Sequence, residues 1–132
     1  MVMIPEKVID AFNAPAATKV LTSVADNGQP HSIVAGSIKV VAPDTVIVGE
    51  ILMKTTSANL KKNDKAAFLV INGKESYVVN VTAVQRATEG PMVDGMNEVL
   101  KGMGLKASAV WVFKPSAVFD QSAGPSSGSK LA

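Results

Sequence analysis

Three tight-turn signals divide this chain into short β-branched runs, and turns that short allow only antiparallel pairing between neighbours. Asp26-Asn27-Gly28 separates residues 18–25 from residues 29–41, so these two runs read as the arms of one hairpin. Pro43-Asp44 turns the chain into Val46-Ile47-Val48, and Asn72-Gly73 joins residues 65–71 to residues 76–87. The first of that pair has little polar relief, as expected where both faces are covered, whereas the second alternates as a long antiparallel strand should. Residues 107–113 give a last clear strand, and Ala117-Val118-Phe119 beyond Pro115 reads as one more short strand or an arm lying on a neighbour. The expected fold is mainly β: a six-stranded antiparallel barrel that hides its edges by closure, with short flanking helices.

Those helices carry their own punctuation. Pro5 and Glu6 open one whose Val8, Ile9 and Phe12 share a face, and Asn13 and Pro15 stop it; it should pack across an end of the sheet. Gly90-Pro91 opens another, with Met92, Met96, Val99, Leu100 and Met103 at helical spacing and Gly102 and Gly104 at its end. The methionines of that stripe are expected in the core, where their flexible side chains fill irregular gaps.

The third helix, residues 56–62, carries the chemistry. A strand over residues 45–50 passes through Ile51-Leu52-Met53 into Lys54-Thr55-Thr56-Ser57-Ala58-Asn59-Leu60. A helix start has unpaired N–H groups and the positive end of the macrodipole, so a lysine and hydroxyls there can hold a phosphoryl group. Lys54 and Thr55 are the expected phosphate ligands, with Thr56 or Ser57 as N-cap. The plain alternative is a solvated lysine beside ordinary capping threonines.

Other classes of function find little support. Thirteen basic and eleven acidic residues are scattered along the chain, which gives no stripe for nucleic acid. There is no cysteine, hence no thiolate nucleophile or sulfur-based zinc site, and redox chemistry would need a bound cofactor. The longest apolar run, residues 66–71, is far too short for a membrane span, and no signal-peptide pattern opens the chain, so a cytoplasmic protein is expected. A length of 132 residues suits one domain, taken as residues 1–120. Residues 121–132 are rich in Ser, Gly and Ala and are expected to be mobile; Gly128-Ser129-Lys130-Leu131-Ala132 reads as vector-derived.

From residue 18 to residue 119 the chain resembles the FMN-binding split-barrel family related to pyridoxamine 5′-phosphate oxidase, most closely its small bacterial FMN-binding proteins. The resemblance is carried by Asp26-Asn27-Gly28-Gln29-Pro30-His31, by Met53 to Leu60 with Lys62-Asn63, and by the strand that follows. It implies a split barrel, a homodimer and an FMN held in clefts between subunits. By that resemblance Val34, Ala35, Gly36 and Ser37 pass the flavin edge, Lys54 and Thr55 hold the phosphate, and Trp111 or the arm around Phe119 reaches the ring of the partner's flavin. Small residues at 34–37 suit a close approach of backbone to a planar ring, and suit strand-on-helix packing equally well. Gly49 and Glu50 could pass the ring by main chain or simply end a strand. Asn59 could orient Lys54 or the ribityl chain, or be an exposed helical asparagine.

The resemblance implies a flavoprotein that passes hydride or electrons, with a nicotinamide cofactor or a redox protein as partner. The alternatives are a non-catalytic electron carrier or flavin store, and a flavin-free barrel for another phosphorylated ligand. With one arginine, Arg86, and one histidine, His31, neither near the end, the chain lacks the substrate-holding pair of pyridoxamine 5′-phosphate oxidase itself.

Overall fold

The computed structural model describes residues 2–132 as one seven-stranded antiparallel sheet with three helices. Helix α1 (Glu6–Asn13) precedes β1 (Thr18–Val24), β2 (Pro30–Val34), β3 (Lys39–Ala42) and β4 (Thr45–Gly49). Helix α2 (Lys54–Lys62), β5 (Lys65–Asn72), β6 (Glu75–Ala87), α3 (Pro91–Lys101) and β7 (Val110–Asp120) complete the chain. The sheet order is β2-β1-β5-β6-β7-β4-β3, so β2 and β3, adjacent in sequence, sit at opposite edges.

That order corrects the expected strand count. Residues 29–41 are two strands: β2 pairs with β1, and β3 pairs with β4. The break falls at Ala35-Gly36-Ser37, where Ala35 N–H still donates to Lys19 but Ile38 N–H turns back onto Ala35. A sheet that curls on itself needs a segment leaving one edge and joining the other, and small residues make that bend at little steric cost. A second difference is that Pro115 interrupts nothing, because β7 runs through it. The β6–β7 register slips between Asn80 and Val81, which leaves Ser116 in a bulge, and there its hydroxyl donates to Asn80 O at 3.1 Å. A proline is tolerated in such a place because the ladder is already broken.

The interior is apolar and aromatic. Phe68 lies edge-on to Phe12 and Phe113, with ring centroids 6.4 and 5.0 Å away. Phe12 arrives on α1, which packs against β3, β5 and β6 and buries Val8 and Ala11 beside it. Residues 121–132, expected to be mobile, return along β7 in this structure. Leu131 N–H donates to Val118 O at 2.7 Å, and Val118 N–H donates to Ala132 O at 3.0 Å. The Asp120 carboxylate accepts from Ser122 N–H at 2.9 Å and from the Ser126 hydroxyl at 3.3 Å, which holds the turn. Composition cannot reveal this pairing, since the docking rests on two apolar residues, Leu131 and Ala132, at the end of a polar stretch. No helix among the described residues is long and apolar enough to cross a membrane.

Candidate functional site

After Gly49 the chain leaves the sheet and turns into α2 through Leu52, whose φ of 50° lies in the left-handed region and which is 99% exposed. A branched residue in that conformation costs energy and appears where the surrounding structure demands the turn. Here the turn makes Met53 the N-cap and Lys54 the first helical residue, two positions earlier than expected. No side chain caps the helix, and its first internal bond runs from Ser57 N–H to Met53 O. The opening N–H groups, those of Lys54, Thr55 and Thr56, therefore have no protein cap.

Neither expected cap is used as one. Ser57 donates its hydroxyl to Glu50 Oε1 at 2.5 Å. Thr56 is fully buried, and its Oγ1 is the buried side-chain polar atom left without a partner among the described residues. Lys54 and Thr55 are exposed, and Lys54, Lys61 and Lys62 line a cavity of about 560 Å³ together with Met53 and Glu50. Lys62 already pairs with Asp26 at 3.4 Å, an exposed contact of little worth.

Glu50 is the best-satisfied side chain of this corner. Arg86 donates to it twice, Nε to Oε1 at 3.0 Å and an Nη to Oε2 at 2.7 Å. Trp111 Nε1 donates to Oε1 and Ser108 Oγ to Oε2, each at 2.9 Å. The Arg86 guanidinium holds the carboxyl far below the usual carboxylate range, against a smaller opposing effect of burial, and Ser57, Trp111 and Ser108 add to the lowering. The same bond raises Arg86 above the ordinary arginine range. The guanidinium also lies 6.0 Å from the Trp111 ring centroid. This acid is thus neutralised by its own partner, and the lysines set the sign of charge in the cavity.

The sequence-derived candidates divide into three groups. Glu50, Met53 and Lys54 line the helix-start cavity, with Thr55 exposed beside them. Val34, Ala35, Gly36, Ser37 and Gly49 line a second cleft of about 820 Å³, which shares Met53 with the first. Thr56, Asn59 and Trp111 turn inward: Asn59 is buried and donates to Ser23 Oγ at 3.1 Å, and Trp111 is 5% exposed. The main-chain groups of Glu50 are already used, N–H to Ala109 O and C=O from Ser108 N–H, and its carboxylate is held by Arg86, Ser57, Trp111 and Ser108, so Glu50 shapes this corner and offers no free group to a ligand.

Ser37 fastens the wall of the second cleft. Its hydroxyl accepts from Gly49 N–H at 3.1 Å and donates to Gly49 O at 3.3 Å, in place of the strand pairing lost at the bend. Ser37→Ala should cost about 1 kcal/mol, the net value of a typical hydrogen bond, measurable by urea unfolding. The methionine stripe of α3 differs from expectation. Met92 and Met96 are only half-buried and line the cleft, Met103 is exposed, and the buried residues of the helix are Val93 and Leu100. Met96 lies directly over Gly49, whose absent side chain would stand 3.2 Å from Met96 Cγ and Sδ. Helical spacing identifies an apolar face but not what it faces.

Nothing local in the sequence marks Arg86 as a site residue. It is the only arginine, but it lies 36 residues from Glu50, and no local pattern connects the two.

No family model and no curated protein matches the chain by sequence. Solved structures do match in three dimensions. An FMN-binding protein from Syntrophomonas wolfei superposes with a TM-score of 0.82 at 23% identity, covering 91% of this chain and 87% of that one. HupZ from Group A Streptococcus gives 0.81 at 22% identity, over 96% of this chain and 100% of that one. A candidate pyridoxamine 5′-phosphate oxidase from Lactobacillus delbrueckii gives 0.74 at 19% identity, over 90% and 95%. The same fold also serves HutZ, a haem storage protein from Vibrio cholerae, at a TM-score of 0.65 and 16% identity. The chain therefore shares the split-barrel fold of these proteins.

Proposed function

We propose that this protein binds FMN, as a homodimer, and passes hydride or electrons through it. One observation carries the reading: an uncapped helix start beside Lys54 opens on a cavity that meets, at Met53, a cleft walled by the small residues 34–37. Phosphate and ring thus have adjoining places of suitable chemistry. Lys54 and the first N–H groups of α2 would hold the phosphate, with Thr55 Oγ1 next to them. The wall at Val34 to Ser37 would carry the ring, and Met53 would separate the two ends. Bound flavin supplies the hydride and electron chemistry, while these residues bind and orient it. Exposed apolar residues about the cleft mouth, Val34 at 73%, Val99 at 65% and Met103 at 63%, suit cover by a second copy.

A second reading, a flavin carrier without organic substrate, is favoured by the lack of any acidic side chain, histidine or tyrosine along the larger cleft among the described residues. The visible spectrum of purified protein after incubation with FMN and desalting tests the flavin itself. A retained flavin band is expected, and a colourless protein overturns the proposal. Rapid bleaching of that band by a nicotinamide cofactor, followed by turnover with an acceptor, would mark a reductase; an inert band would mark a carrier.

A further inference from the structure

The larger cleft carries charge of one sign only. Lys19 extends from β1 toward the segment that links β2 to β3, and its ammonium donates to Ile38 O at 2.8 Å. That carbonyl accepts one of three N–H donors, and no carboxylate lies within ion-pair distance of Lys19 among the described residues. Lys39 adds a second positive charge at the exposed rim, and no Asp or Glu lines the cleft. The other polar side chains are engaged, Ser37 with Gly49 and Asn13 with Val40 O. Burial pushes the Lys19 ammonium below the ordinary lysine range, a sign that the group lacks a compensating anion. The remaining surface is aliphatic or thioether, with Ile47, Met92, Met96 and Leu100 among it.

We propose that this cleft binds a small apolar carboxylic acid, whose carboxylate pairs with Lys19 while its hydrocarbon body lies between the residue 34–38 wall and α3. An ammonium half withdrawn from water gains more from an anion than an exposed one does, because the local dielectric is lower. The apolar walls gain only from a ligand with hydrocarbon to bury. A free inorganic anion satisfies the first requirement alone, and a neutral hydrocarbon only the second. The volume of about 820 Å³ lies in the usual range of small-ligand sites. The inference rests on the lining of the cleft and stands without flavin; where FMN binds as proposed above, its ring takes the same wall, so the acid and FMN compete for the cleft.

Calorimetric titration of flavin-free protein with 2-naphthoate and with the neutral alcohol of the same ring system, 2-naphthalenemethanol, tests it, so the result does not depend on the FMN reading. The acid should bind about tenfold or more tightly than the alcohol, as a charge-assisted hydrogen bond requires. Lys19→Met should remove that preference while leaving alcohol binding within about twofold, and Lys19→Arg should retain it. Amide shifts in the titration should fall on β1, residues 34–38 and α3. Equal binding of acid and alcohol to the unaltered protein overturns the proposal, whether or not Lys19→Met folds. So does a preference that survives Lys19→Met, or a shift pattern centred on Lys54.

Discussion

Arg86→Met destabilises the fold by about 2–4 kcal/mol, because it leaves the Glu50 carboxylate charged, held in place and unpaired. The Glu50 side chain is only 13% exposed and stays tied to Ser57, Trp111 and Ser108, so it cannot swing out to water. Glu50→Gln should cost less. Arg86 is 28% exposed, so its freed guanidinium can be solvated, and the amide oxygen still accepts part of the set. The double variant should lose less than the sum of the two, with a coupling that a double-mutant cycle in urea reads directly. pH gives a second measurement. Glu50 is depressed in the folded state, so its contribution is complete above the unfolded glutamate value of about 4.3 and is lost as pH falls below it toward the folded value. Since Arg86 is the largest cause of the depression, Arg86→Met should flatten the fall in stability between about pH 5 and pH 2. An unchanged slope would show that the other donors hold the carboxylate by themselves.

That pair also shows where sequence reading stops. Gly28 at φ 89° and Gly73 at φ 63° occupy conformations that favour glycine, and both turns were visible as Asn-Gly dipeptides. The ends of α3 were equally legible, since Gly90 takes a φ of 104° before Pro91 and Gly102 follows Lys101. These signals are local, and the structure places them as expected. The division of residues 29–41 between two sheet edges left no such mark, because β-branched residues suit either edge and only closure of the barrel selects the bend at 35–37. Likewise Glu50 reads as the end of a strand until β6 and β7 bring Arg86 and Trp111 to it from 36 and 61 residues away. The inward turn of Asn59 toward Ser23 was hidden for the same reason: a helix position shows its face only once its neighbours are known.

Lys54→Ala should weaken FMN binding by about 1.5–3 kcal/mol, roughly 10- to 150-fold, and leave the unfolding transition unmoved. The side chain is exposed and makes no hydrogen bond or ion pair among the described residues, so the folded state loses almost nothing with it. Lys61 and Lys62 line the same cavity from the other end of α2, where the helix dipole opposes an anion instead of favouring it. Lys62 is further drawn to Asp26, so neither lysine should replace Lys54. Riboflavin provides the control, because it keeps the ring and ribityl chain and lacks the phosphate. The unaltered protein should prefer FMN, and the substitution should erode that preference while leaving riboflavin affinity the same. If both ligands lose affinity together, Lys54 contributes to the shape of the cleft and not to charge. If FMN and riboflavin bind the unaltered protein equally, the helix start holds no phosphate, and the open N–H groups of Lys54 and Thr55 need another explanation.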